Sequence, residues 1–430
     1  MVLGAAAIAI RLILFVAYSP VLTNDSHSYL DLAHRLGAAH LHGSSGARTP
    51  GYPVVLLALG YSPRAAWVLQ ALLGILATFL VYALVRRLGG GSTVALAAGL
   101  LYTLDLDVLA VEHMVMTEAI ASFLLLVAAH LALTVLERAS PRARSWTAPA
   151  LLLALTIAYL CLVRPDMLIL GAYLVLTLAI ATHSARPLWI LVPALAVLVA
   201  WAGANRATIG VFTVSTVLGH NMIDHVAKYV TVEPGRNHGI TAAYVAAREQ
   251  RERHTSDLGN LSADAEAAME RASHLDAAHL SGRLLSIGLG VIAHHPVQYV
   301  ASSVKQWPRF WLPPNYAYQF TGGAIRVVWK LERALIVLVN IVFVLLVAVD
   351  LARRASRRDG LLSPPALILA GLVVLGLLPA TFLAYGETGR YGYIYLPLVL
   401  GVSFATGEIV LRRLRAPALA PASRPRPSRI

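Results

Sequence analysis

The sequence predicts an all-α polytopic membrane protein, on three observations. Hydrophobic residues make up 58% of the 430-residue chain and charged residues only 13%, against the roughly 25% charged usage of soluble domains. Apolar runs near the length of about 20 residues that a helix needs to cross a bilayer recur from end to end. Between them, an excess of arginine gathers in every second connecting segment, on one side of the membrane. The formal charge of +13 does not by itself point to nucleic acid, because nucleic-acid proteins carry their basic residues on a solvated face. Here apolar runs separate them, so no nucleic-acid partner is expected. The runs also lack the apolar-polar alternation of a membrane barrel, which leaves helices as the spanning element.

Ten windows read as spans: 1–22, 64–85, 92–110, 116–136, 147–163, 167–183, 187–204, 331–350, 361–383 and 392–411. The first could pass for a signal peptide, but it lacks an early basic region and a small-x-small cleavage site, so it is expected to remain as a span. The single cysteine, Cys161, lies in an apolar run, which excludes a disulfide framework and a Cys-based zinc site. With the N-terminus cytoplasmic, the inside segments sum to +12 and the outside segments to zero, with Arg11 supplying the last unit. That asymmetry predicts a multi-pass protein of the cytoplasmic membrane with both termini cytoplasmic.

Four regions follow. Residues 1–204 form a membrane module with spans one to seven and the first outer loop, 23–63. Residues 205–330 form a large extracytoplasmic loop, helical because its middle is rich in Ala, Glu and Arg. Residues 331–411 carry the last three spans. The tail, 412–430, is rich in Pro, Ser and Arg and is expected to be disordered. Within the first outer loop, NDSHSYLDLAHRL places Tyr29, Leu32, Ala33 and Leu36 on one helical face, as in a helix lying on the membrane surface. TPGYPVVLLALGYSP is apolar but too short to span, and it is read as a second interfacial piece.

Candidate chemistry gathers where spans meet the outer surface. Asp25 directly follows the first span; it can be read as a helix cap, together with Asn24 and Ser26, or as a carboxylate presented to a lipid-anchored substrate. Glu118 heads the fourth span, where an acid also favours the helix dipole. Asp105, Asp107, Glu112, His113 and Glu118 lie within fourteen residues, a cluster suited to an acid-base pair or to a divalent cation such as Mg or Mn. Glu112, His113 and His220 are therefore substrate or metal candidates, although none of the histidines shows a metal-ligand spacing. Arg48, Arg164 and Arg390 are boundary arginines, able to meet an anionic headgroup bidentately or simply to contact lipid phosphates. Arg164 can also pair with the nearby Asp166. Arg11 sits mid-span and is expected to face protein or an aqueous cavity. No Rossmann fingerprint, P-loop or GxSxG motif is present, so an activated substrate would have to arrive on a lipid.

NDSHSY after the first span, RTPGYPVVLLAL, TEAIASFLL, LVRPDMLIL, WAGANRATIGVFTVST, HHPVQYV with KQWPRFW, and GRYGYIYLPLVL follow one another along residues 10–411. In that order the chain resembles the GT-C glycosyltransferases, in the bacterial family 39-like branch related to protein O-mannosyltransferases and the lipid A aminoarabinose transferase. The resemblance implies a GT-C-like bundle of about ten transmembrane helices. It also implies inverting transfer of a sugar from a polyprenyl-phosphate donor to a protein, glycan or lipid acceptor outside the cytoplasmic membrane. On it, Asp25 matches the catalytic base, Glu118 the second acidic position, Arg390 with Tyr391 the RY pair, and Arg48 the arginine before PGYP. The arginines and Tyr391 are expected donor-phosphate contacts, with Arg164 beside them. Many relatives carry a long soluble domain after the last span, where this sequence has only a short basic tail. Acceptor recognition is therefore expected to fall on 205–330. Two other classes compete: a transporter or flippase of lipid-linked sugars, whose polar groups would lie at midplane in repeated halves, and a non-catalytic scaffold.

Overall fold

A computed structural model describes residues 1–138, 146–255, 258, 260–313, 322–385 and 388–415. Residues 416–430 of the tail lie outside the described residues, as do Arg142 and Arg144, two of the arginines counted in the inside sum. Within them the chain is helical, and one isolated β-bridge, Val21 to Met114, is the only extended pairing.

Residues 23–63 build two helices. After α1 (Val2–Ala17), the chain turns into α2 (Asn24–Gly37), which Thr23 caps in a reciprocal box with Ser26. Asp25 is thus not the cap: the hydroxyl one residue before Asn24 takes that duty, and the Asp25 carboxylate is left for other partners. α3 (Gly51–Ala58) carries PGYP against α8 (Thr147–Val163). Gly51 lies so close to the backbone of Leu162 and Val163 that a Cβ would meet the Leu162 carbonyl carbon at 2.5 Å.

The bundle centres on α4 (Pro63–Arg87), which packs against α5 (Ser92–Leu104), α7 (Glu118–Arg138) and α20 (Leu396–Arg415). Ser62 caps α4 and Pro63 supplies its first turn. The window 92–110 is not one straight helix. It bends by 47° between α5 and α6 (Leu106–His113), because Asp105 leaves the helical path and accepts from Val108 N at 2.8 Å, starting a new helix. Next come α8, α9 (Leu168–Ala181) and α10 (Val192–Ile209), which ends on Gly210 in the left-handed conformation.

Five described helical stretches are long and apolar enough to cross a membrane: Pro63–Arg87, Glu118–Arg138, Arg186–Ile209, Gly323–Ala355 and Pro364–Phe382. The number rises to seven if each of two bent pairs counts as one span. Val2–Ala17, Thr147–Val163 and Pro165–Ala181 are apolar but shorter, and α20 carries Glu408, Arg412, Arg413 and Arg415 in its second half.

Residues beyond α10 fold around a second core. α11 (Val217–His225), α12 (His238–Glu252), α13 (Leu261–Ser273) and α14 (Ala277–His294) bury Ile223, Tyr244, Leu261, Met269 and Leu284 between them. α15 (Pro296–Val304) and α16 (Trp307–Phe310) then lead back toward α17 (Gly323–Ala355), α18 (Pro364–Phe382) and α19 (Thr388–Ile394).

Candidate active site

Three connections bring distant segments to one place. Val21 pairs with the turn before α7, donating to His113 O at 2.9 Å and accepting from Val115 N at 3.2 Å. This draws the start of α2, with Asp25, toward the start of α7, with Glu118. The loop before α3 is held from the far side of α10. Thr216 N donates to Gly46 O at 3.1 Å, Thr216 Oγ1 to Ser45 O at 3.0 Å, and Ser215 Oγ to Ala47 O at 2.8 Å. Arg48 follows directly. Finally, α19 packs against α7 and presents Arg390 and Tyr391.

At this junction Asp25 accepts from Arg48 Nη2 at 2.5 Å and from Arg390 Nη1 at 2.7 Å, one guanidinium on each oxygen. Arg390 Nε also donates to Glu118 Oε1, which accepts from Arg164 Nη1 at 3.2 Å as well. Arg164 in turn reaches Asp166 Oδ1 at 3.4 Å and lies over the Tyr391 ring, 4.5 Å from its centre. Arg48 is steadied by Ser28 Oγ at 2.8 Å and by the Tyr29 ring beneath it at 4.5 Å. Three carboxylates and three guanidiniums thus form one continuous, formally neutral network.

Exposure divides the roles the two acids could take. Asp25 keeps 28% of its side chain open, whereas Glu118 keeps 1%. Of the two, Asp25 is the one partly exposed to an incoming molecule. Burial works to raise the Asp25 pKa, but Arg390 and Arg48 outweigh it and hold the carboxyl below its ordinary value of 3.8. Glu118 Oε2 and Asp166 Oδ2 are buried without a hydrogen-bond partner among the described residues.

Six residues singled out from sequence therefore meet: Asp25, Arg48, Glu118, Arg164, Arg390 and Tyr391. The other three do not join them. Glu112 is paired with Arg11, through Nη2 at 2.6 Å and Nε at 2.8 Å, in a niche that Gly74 leaves open and Thr103 completes. His113 lies against Trp67 with ring centres 4.1 Å apart and its Nδ1 2.6 Å from Leu109 O. His220 sits against α13, with Nδ1 3.2 Å from Ser262 Oγ and Nε2 3.8 Å from Glu266. The five-residue cluster around Glu118 is likewise dispersed. Asp105 caps α6, Asp107 accepts from Trp329 Nε1 at 3.3 Å, Glu112 serves Arg11, and Glu118 alone reaches Arg390, one of the two arginines on Asp25. No group of three His, Cys, Asp or Glu converges as a metal site among the described residues. Sequence reading passed over Tyr29 and Ser28 as supports of Arg48, although both lie one helical turn from Asp25, and over Ser215 and Thr216 within FTVST.

Residues 64–218 match the family model of dolichyl-phosphate-mannose-protein mannosyltransferases. The chain is similar to that family there. The matched stretch, rather more than a third of the chain, contains Glu118 and Arg164. Asp25, Arg48 and Arg390 fall outside it. Among solved structures, the Archaeoglobus fulgidus oligosaccharyltransferase, tethered to an acceptor peptide with the NVT sequon, aligns with 85% of this chain and 42% of its own, at 14% identity and a TM-score of 0.39. The chain thus spans less than half the length of that enzyme. No curated protein matches the sequence. The chain is an all-α, multi-helix membrane protein, glycosyltransferase-like over residues 64–218.

Proposed function

We propose that the protein moves a sugar from a polyprenyl-phosphate donor to an acceptor hydroxyl on the extracytoplasmic side of the cytoplasmic membrane, inverting the anomeric centre, with Asp25 as base. The observation that carries this reading is Asp25 itself: a partly open carboxylate in the first turn of α2, its two oxygens flanked by Arg48 and Arg390, with Arg164 behind. An acceptor oxygen beside Asp25 attacks the anomeric carbon as the bond to the donor phosphate breaks. Its proton passes to the carboxylate late, once bond formation has acidified the oxygen, because a free alcohol is a far weaker acid than an aspartic acid. The electron pair leaves with the phosphate, whose charge the guanidinium forks stabilise. Glu118 orients Arg390 and Arg164. Tyr391 holds the plane of Arg164.

A divalent cation, if one is used, would find Glu118 Oε2 and Asp166 Oδ2 as its free carboxylate oxygens, and would add positive charge beside the phosphate. The three arginines supply that charge themselves, so each step above rests on the chain's own residues.

The arginine distribution supports ten spans with both termini cytoplasmic, which puts the Asp25 network outside. On that topology α2 and α3 lie at the interface, and residues 205–330 face the acceptor. The matched family supports a lipid-phosphate sugar as the donor class. The test is incubation of purified protein with a panel of polyprenyl-phosphate sugars and a cell-envelope extract, following released polyprenyl phosphate and labelled acceptor. Transfer by the parent protein and none by Asp25→Asn is the expected result. Movement of intact donor across the bilayer without cleavage would replace this reading with that of a flippase.

A further inference from the structure

The segment that carries Arg390 is gripped from the loop fold. α18 ends at Phe382, where the last carbonyls of a helix lose their partners. Two of the carbonyls that follow the last full turn are taken by side chains from the 205–330 region. Tyr299 Oη, on α15, donates to Phe382 O at 2.6 Å, and His225 Nε2, at the end of α11, lies 2.7 Å from Ala384 O. Tyr385, the next residue, sets its ring edge-on to His225 at 5.0 Å. α19 starts at Thr388, three residues further on, and carries Arg390 and Tyr391 into the carboxylate network.

His225 is itself firmly placed. Ser302 Oγ donates to its backbone carbonyl at 3.3 Å, Ser303 Oγ lies 3.4 Å from Nδ1, and the Tyr299 ring stands edge-on at 5.6 Å. Its neighbour Asp224 accepts from Ser262 N at 3.0 Å, Ser262 Oγ at 2.9 Å and Tyr244 Oη at 2.9 Å, which pins α11 to α12 and α13. Burial holds the His225 imidazole down at about 4, against the opposing pull of the Ala384 carbonyl, so at neutral pH the ring is uncharged. The neutral ring that donates from Nε2 leaves Nδ1 as the acceptor for Ser303.

We propose that His225 and Tyr299 are positioning residues: by holding the carbonyls of Ala384 and Phe382, they set where α19 begins and hence where Arg390 meets Asp25 and Glu118. The outer loop fold then has a second task besides facing the acceptor, since its α11 and α15 fix one wall of the donor-phosphate site. The effect on turnover rests on the proposed transferase reading; the effect on backbone order does not.

The test uses full-length protein in lipid nanodiscs, comparing His225→Phe, Tyr299→Phe and His225→Gln, whose amide can still donate to Ala384 O. Hydrogen exchange of residues 382–391 is expected to quicken ~10-fold or more in the two Phe variants, with the rest of the chain and the melting temperature unchanged, and to return toward the parent rate in His225→Gln. With a polyprenyl-phosphate sugar that the parent turns over, kcat should fall by ~10- to 100-fold, as displacement of a catalytic group does, while KM changes little. Exchange that is unaltered at 382–391, that rises throughout the loop fold, or that is no slower in His225→Gln than in His225→Phe would overturn the proposal. If the parent cleaves none of the donors tested, the transferase reading fails, and the exchange experiment still decides the positioning role.

Discussion

Arg390 and Asp25, 365 positions apart in the chain, meet at 2.7 Å through Nη1 and Oδ2. The contact joins α2 to α19, and the same guanidinium holds Glu118 through Nε. One planar fork thus spans two carboxylates from two other elements.

Lysine cannot reproduce that fork. Arg390→Lys keeps the charge but offers a single nitrogen, so turnover should drop by ~10²- to 10³-fold, the usual cost of removing one oriented donor at a developing charge. Steady-state rates with a cleaved polyprenyl-phosphate sugar measure this. A variant with parental kcat/KM would remove Arg390 from the chemistry.

Asp25→Asn removes the base and leaves the size of the side chain. The rate should fall by at least ~10²- to 10⁴-fold, the contribution typical of general acid-base catalysis, in protein that still inserts and binds donor. Full turnover by this variant would show that Asp25 is not the base.

The pH profile follows from the direction of the Asp25 shift. Burial pushes the pKa up, Arg390 and Arg48 pull it down further, and the net value lies below 3.8. The ionised, competent form therefore persists below that pH, and the acid limb of kcat/KM should lie under it. Arg48→Gln removes one of the two opposing charges, leaves burial in place, and should move the limb to higher pH. A limb that stayed put in Arg48→Gln would separate it from Asp25.

The Arg11 and Glu112 pair is buried, with 5% and 3% of the side chains exposed. Glu112→Gln should destabilise the protein by ~3–5 kcal/mol, because an unpaired guanidinium is left in an apolar interior. Exchange of both residues for apolar ones of similar volume should recover most of this. Thermal unfolding in detergent reads the difference. A Glu112→Gln protein that unfolds like its parent yet has lost activity would return Glu112 to the substrate or metal candidates.

Much of the arrangement was legible in sequence, and the failures have definite causes. Asp25, Glu118, Arg48 and Arg390 were found because each sits where an apolar run ends, and a boundary is visible in one dimension. Glu112 stands apart from the Asp25 network because its partner, Arg11, lies 101 residues away in sequence, and fourteen residues of dense charge look like one site when the helix turns its members to different neighbours. The break at Asp105 was hidden because the apolar pattern runs on through it. The cap was ambiguous among Asn24, Asp25 and Ser26 because all are good capping types; Thr23, one place earlier, was not considered. The grip of His225 and Tyr299 on residues 382–384 uses backbone carbonyls as acceptors, which leave no mark in a sequence.

Each of the three guanidiniums in the formally neutral Asp25 network is engaged by a carboxylate. A donor phosphate cannot simply fall into a vacant positive pocket; it must win the forks from Asp25 and Glu118. Arrival of the donor would then itself unmask the base, so that the acceptor hydroxyl meets a competent Asp25 only after the sugar is in place. The order of substrate addition would be written into an exchange of ion-pair partners, and the idle enzyme would be guarded against deprotonating and glycosylating anything out of turn.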